Sequence, residues 1–355
     1  MRSAIVVIVL IGASWYLFRN YEIAGLDNLD IRPRASQAVR SGDRSNFFVD
    51  TKSSWQAKHE WPGKASMVSL SEAADEPWRD ANDPISGPDS LLSADQRVRI
   101  GSWALGGFDR EKAGKPQVMA RLAEVVRSLD VVALQQITGS ERYLLPQMVE
   151  HINRTGRQYD FLLSPPAAAK SNAFGPPEQS AFLFDTERIV TDRSQFYSVD
   201  DPENIFVHQP IVGWFRVLGP PESKAWTFTL VNLRIEIQQA RREVAALPRL
   251  LQAVSSDGRG EDDTILLGLF QADDAYLVPT FGNAVTAAVR ATPTDIFGRQ
   301  QVANILIPHR TTTEYLGAGG VIPYLRQQNL TLSECEELTP HLPVFAEFSP
   351  REGLD

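Results

Sequence analysis

The chain has 355 residues, 43% of them hydrophobic and 9% aromatic, which is enough to bury a sizeable core and to build one large domain with appendages. Its 35 basic and 44 acidic residues leave a formal net charge of −9, a field of the wrong sign for gathering nucleic-acid backbone, so nucleic acid is not expected as a partner. The one cysteine, Cys335, excludes an internal disulfide framework and any cysteine-based zinc site, and a structural or surface role is expected for it.

In chain order, the first element is the apolar run AIVVIVLIGASWYLF at residues 4–18, closed by Arg19. It is shorter than the roughly 20 residues that span a bilayer comfortably, but Arg2 and Arg19 can snorkel and the bilayer can thin. The run ends in bulky Trp15-Tyr16-Leu17-Phe18, with only Gly12-Ala13-Ser14 to offer small residues for cleavage. Residues 1–19 are therefore expected to be an uncleaved membrane anchor, ahead of a cleaved signal or a buried soluble helix. Arg2 precedes the run while Glu22, Asp27 and Asp30 follow it. That asymmetry predicts a single-pass membrane protein with its C-terminal domain extracytoplasmic.

Residues 20–96 lack clear periodicity and are rich in Ser, Asp, Pro and Gly, as in EPWRDANDPISGPDS at 76–90. This reads as a linker or loosely packed extension. Trp55, Trp61 and Trp78 are unusual in a free tether and are expected to dock on the domain or a partner.

From residue 97 to 350 strands and amphipathic helices alternate, leaving 351–355 as a tail. Strand-like segments are expected at 98–105, 131–137, 181–185, 226–235, 263–270, 304–308 and 343–348. Helical spacing marks 116–129, where Pro116 suits a first helical turn, and also 142–153 and 238–254. Many short strands with side helices in about 250 residues predict a layered α/β domain.

The order of landmarks in residues 98–348 resembles the endonuclease/exonuclease/phosphatase family, whose best known member is deoxyribonuclease I. RIGSWAL stands where that family has a strand ending in Phe-Asn, DVVALQQI where it has Asp-Ile-Val-x-Leu-Gln-Glu, and EQSAFLF follows. VNLRIEIQQARREVAAL takes the place of a His-bearing strand and helix, and LLGLFQAD the place of Gly-Asp-Phe-Asn-Ala-Asp. ANILI and TPHLPV stand where the family has Tyr-Asp-Asn-Ile-Leu and Ser-Asp-His-x-Pro-Val. The resemblance implies a four-layer α/β sandwich of two mixed sheets packed face to face with helices outside. It also implies hydrolysis of phosphoester bonds with a divalent metal, usually magnesium, held by carboxylates beside a histidine and an aspartate that handle protons.

Carried over position by position, the chemistry does not follow the fold. The family's asparagine on the first strand is Ala104, its metal-binding glutamate is Gln136, and its catalytic histidine is Arg234. The aspartate and asparagine of Gly-Asp-Phe-Asn are Leu269 and Gln271, and the aspartates before Asn-Ile-Leu and before the last histidine are Ala303 and Pro340. Of the central set only His341 is retained, with Glu178 at the position of an acid that supports the catalytic histidine. Magnesium needs anionic oxygen; Gln136 is neutral, Ala104, Leu269 and Ala303 offer no ligand, and Arg234 repels a cation. No cofactor is expected, with Mg2+ the alternative if the protein is active. Asp273-Asp274 follows the strand and is expected to be a solvated turn pair.

Each survivor has an ordinary structural reading as well. His341 before Leu-Pro-Val reads as a partly buried histidine hydrogen-bonded at a strand start. Glu178 and Arg234, if they meet, form a charge-assisted pair in place of the old dyad, although an arginine there also suits recognition of an anionic oxygen. His208, in VHQPIVGWF, is expected to line the same cleft. Two functions compete: a membrane-tethered, catalytically inactive binding or scaffold domain with a protein or anionic ligand as partner, and a metal-dependent phosphoesterase or nuclease with a rebuilt site.

Overall fold

The computed structural model describes residues 21–24, 30–33, 97–139, 141–166 and 177–353. Contacts divide the chain into two units, 1–62 and 63–355. The first contains β1 (Tyr21–Ala24) and β2 (Asp30–Pro33), which pair antiparallel. Two short strands therefore lie where the sequence reads as a loosely packed extension. Residues 4–18 and Trp55, Trp61 and Trp78 lie outside the described residues, and among those described no helix is long and apolar enough to cross a membrane.

The second unit carries two mixed sheets. One runs β14 (Tyr315–Val321), β15 (Val344–Phe348), β3 (Val98–Phe108), β4 (Val131–Thr138), β6 (Glu178–Asp185) and β5 (Tyr159–Leu163). The other runs β12 (Val285–Ala287), β13 (Ala303–Pro308), β11 (Thr264–Leu269), β10 (Thr227–Arg234), β9 (Ile211–Val217) and β7 (Ile189–Thr191), with β8 (Tyr197–Ser198) beside β9. The pairs β3/β4 and β10/β11 are parallel and the remaining pairs antiparallel.

Three apolar clusters define the layering. Between the sheets, Ile100, Ala133 and Phe182 of one meet Phe215, Leu230 and Leu267 of the other. Aromatic rings stack through this interior: Trp226 on Phe228 at 4.2 Å, Trp226 on Phe348 at 4.8 Å and Phe215 on Phe228 at 5.6 Å between centroids. The first sheet's outer face is covered by α1 (Arg110–Ala113), α2 (Pro116–Arg127), α3 (Leu144–Ile152), α6 (Tyr324–Gln327) and α7 (Leu332–Leu338), and the second's by α4 (Ala240–Ser255) and α5 (Asp274–Thr280). The layers are thus helix, sheet, sheet, helix.

Local chemistry explains most of the elements. Pro116 starts α2, whose Val118, Met119, Leu122, Val125 and Val126 turn one apolar stripe inward. In α4, Val244, Leu247, Leu250 and Val254 do the same. Strands β5, β7, β8, β9, β12 and β14 were not predicted. Tyr315–Val321 contains three glycines and reads locally as a turn, yet pairs along β15. Gly268 is required where it stands: at φ 149° a Cβ there would lie 2.0 Å from the Leu233 carbonyl oxygen, so only glycine lets β10 and β11 approach. Residues 351–353, expected in a free tail, are tied into the domain. Arg351 bridges to Ala225 and the Gly353 amide donates to Glu314 Oε1 at 2.8 Å.

Candidate functional site

The strand register brings the substituted positions into one row. Arg234 at the end of β10 lies opposite Leu269 of β11, which lies opposite Ala303 of β13. Leu269 is 0% exposed and, with Ala104 and Ala303, belongs to the apolar interior between the sheets. These positions are thus dry interior where sheet ends could have presented polar groups, and none of the three lines the cavity beside Arg234.

The remaining carried-over residues border this interior. Gln136 adopts φ 61° and its side-chain oxygen accepts from the Gly106 amide at 3.2 Å. The Ala104 carbonyl accepts from the Thr339 hydroxyl at 2.7 Å. Pro340 packs on Gly106, where a Cβ would come within 2.7 Å of the proline ring. Gln271, at φ 55°, donates its amide to Val302 at 3.0 Å, beside Ala303. His341 is anchored through its backbone: its carbonyl accepts from Trp103 Nε1 at 2.9 Å and its amide donates to Thr339 Oγ1 at 3.3 Å. Its Nδ1 is buried without a partner. The cause is local: Thr339 and Trp103 take up the backbone groups while the ring faces cations. Burial, then the charges of Arg234 and Lys112, push the His341 imidazole down to about 4, so it is neutral at pH 7.

Arg234 and Glu178 do meet, with Nε and Oε2 3.3 Å apart, as an ion pair without hydrogen-bond geometry. Arg234 also donates to the Ile235 carbonyl at 2.7 Å and lies 3.5 Å from Glu236 Oε2. His208 joins them, its Nδ1 3.7 Å from Glu178 and its Nε2 3.3 Å from Glu236. Burial, reinforced by Arg234, lowers the His208 pKa, so this ring too is held neutral. Arg234 faces Glu178 and Glu236, and behind them the buried Glu243 accepts from the Glu236 amide at 3.4 Å, its carboxyl pushed by burial up to about 7. A cavity of about 70 Å3 bordered by Glu178, His208, Arg234, Ser180 and Ser198 accompanies them, room for a few waters rather than a nucleotide.

Several contributors were not anticipated. Glu236 was legible, because it stands two residues after Arg234 and period-two alternation puts both on one face. Lys112, whose ammonium donates to the Leu105 and Gly106 carbonyls at 2.9 and 3.0 Å, comes from a distant helix and leaves no local signal. Gln135 and Asn232 bridge the two sheets behind the site, Nε2 to Oδ1 at 2.7 Å, and Asn232 also donates to Leu134 and Ala181.

No family model matches the chain. Human deoxyribonuclease gamma is 21% identical over 273 residues, covering 70% of this chain and 84% of that protein. Pig deoxyribonuclease-1-like 1 is 25% identical over 277 residues, covering 73% and 83%. Mouse deoxyribonuclease-1-like 2 is 26% identical over 181 residues, covering 51% of this chain and 62% of its own length. In fold, an endonuclease/exonuclease/phosphatase family protein from Bacteroides thetaiotaomicron superposes with a TM-score of 0.50 at 15% identity, covering 71% of this chain and 97% of that one. The chain thus has the deoxyribonuclease-I-like fold of endonuclease/exonuclease/phosphatase proteins and is similar in sequence to deoxyribonuclease-I-like proteins.

The fold family implies a divalent ion at the sheet ends, and the residues present here do not fit one. A buried leucine, two buried alanines and an amide already engaged by Gly106 provide no anionic oxygen, and Arg234 occupies the rim. Asp273-Asp274 does not substitute as a solvated pair. Asp273 caps α5 by accepting from the Tyr276 amide at 2.9 Å, and Asp274 accepts from the Ala291 amide at 3.0 Å, because a helix starts there. Among the described residues, the groups of three acids with converging oxygens are Glu261, Asp262 and Asp263, and Asp263, Glu314 and Glu352.

Proposed function

We propose that this deoxyribonuclease-I-like domain is catalytically silent and serves as a binding or scaffold module presented on the outer side of a membrane by residues 1–19. One observation carries the first part: the row Arg234, Leu269 and Ala303 puts a guanidinium and two buried apolar side chains where metal-dependent hydrolysis needs carboxylates and a proton-transfer group. Arg234 already paired with Glu178 and Glu236 supports it, since a metal ion would meet a guanidinium there and a polyanionic strand would meet the two carboxylates. The partner this favours is a protein, through surface contacts rather than through a small pocket. The run at 4–18 and its charge flanks support the anchoring.

The test is an assay of the purified chain on plasmid DNA, RNA and a simple phosphodiester with magnesium, manganese and calcium in turn. The expected result is no turnover above a mock preparation. Metal-dependent turnover that is lost in His341→Ala would establish the competing reading, a phosphoesterase with a rebuilt site. For the anchor, sedimentation with membranes and removal of the domain by external protease are expected; recovery in the soluble cytosolic fraction would refute it.

A further inference from the structure

Asp263 precedes β11, six residues from Leu269 and so about 20 Å along the strand from the cleft. There it meets two acids from distant parts of the chain, Glu314 ahead of β14 and Glu352 in the C-terminal segment, with one oxygen of each within 4.8 Å of the others. Asp263 and Glu314 are each 1% exposed. Asp263 uses Oδ2 to accept from Trp226 Nε1 at 2.8 Å, and Glu314 uses Oε1 to accept from the Gly353 amide at 2.8 Å. That leaves Asp263 Oδ1 and Glu314 Oε2 buried with no hydrogen-bond partner. A further oxygen comes from outside the acidic set: the Thr312 hydroxyl, on a residue 2% exposed, lies within reach of the Asp263 carboxylate but outside good hydrogen-bond geometry with it. Glu261 and Asp262 add two more acids, and none of the five forms an ion pair with a described Lys or Arg.

Buried carboxylates without a counter-charge are unstable unless a proton or a cation neutralises them. The donor set distinguishes among cations. All the ligand atoms are hard oxygens from separate segments, which suits calcium rather than zinc. Calcium accepts irregular sets of oxygens from flexible segments, whereas magnesium demands near-octahedral order and gives up its waters reluctantly. We propose that Asp263, Glu314 and Glu352, with the Thr312 hydroxyl, form a calcium site that fastens the C-terminal segment to the domain at the end of the sheets remote from the cleft. The site is independent of the cleft's chemistry and serves stability.

The test is thermal unfolding and titration calorimetry of the full chain, stripped with a chelator and then given calcium or magnesium at matched ionic strength. Saturable calcium binding at one site is expected, with a rise in Tm of several degrees, and at least a tenfold weaker response to magnesium. Glu352→Gln, at an exposed position, is expected to fold and to weaken calcium binding tenfold or more, and Asp263→Asn to abolish it. No calcium response in the native chain would overturn the proposal, as would a response unchanged in Glu352→Gln and Asp263→Asn together. Stabilisation by Asp263→Asn in a chain that ignores calcium would assign the neutralising role to a shared proton instead.

Discussion

Truncating Arg234 to alanine removes the one cation among the described residues that faces both Glu178 and Glu236. The side chains of Arg234 and Glu178 are 12% and 28% exposed, so neither behaves as a free surface group nor as a fully dry one. At 3.3 Å the gross attraction is about 5 kcal/mol for an effective dielectric near 20. Most of this is offset by desolvation, by the missing hydrogen-bond geometry, and by competition from Glu236 and His208, leaving an expected coupling of about 1–2 kcal/mol. The assay is a double-mutant cycle of Arg234→Ala and Glu178→Ala by chemical denaturation, with inorganic phosphate added in a parallel series. Arg234→Ala alone should cost more than Glu178→Ala, because it leaves two carboxylates unpaired where the other leaves Arg234 still facing Glu236. A coupling within about 0.3 kcal/mol of zero, with phosphate stabilising the native chain but not Arg234→Ala, would refute the pair and make the cleft an anion site.

Leu269→Asp should destabilise by at least about 3 kcal/mol, from lost apolar burial and a carboxylate forced into a dry interior, and should restore no metal-dependent cleavage; renewed turnover in that single variant would contradict the site described above. His341 adds an acid-side instability. Its folded-state pKa of about 4 lies below its ordinary 6.5, so the unfolded chain binds the proton first, and stability present above about pH 6.5 is lost as pH falls through 4, by at most about 3 kcal/mol. In His341→Gln the urea midpoint should fall less between pH 6.5 and 4 than in the native chain, and an unchanged difference would remove the histidine from the account. Asn232→Ala removes the inter-sheet acceptor of Gln135, which keeps Ser102 and Ala133, and the side-chain donor to the Leu134 and Ala181 carbonyls, an expected loss of about 1–3 kcal/mol by denaturation. Gly268→Ala, whose Cβ meets the Leu233 carbonyl, should reduce soluble yield or stability severely, and near-native stability would mean β10 and β11 can separate there.

Alternating and helical apolar patterns are local properties, so the strands around Val98, Val131, Thr227 and Thr264 and the helices after Pro116 and before Ser255 were legible along the chain. Edge strands were not: a glycine-rich segment such as Tyr315–Val321 becomes a strand only because β15 offers it a hydrogen-bonding edge. Composition also determined the net charge of −9, but not its arrangement. Only tertiary structure could put Lys112 beside the cleft and gather Asp263, Glu314 and Glu352 from three separate segments. Side-chain identity constrains what a residue can do in its own strand or helix, whereas burial and the charges around it depend on parts of the chain far away in sequence, and those decide whether a carboxylate is solvated, paired or left wanting a cation.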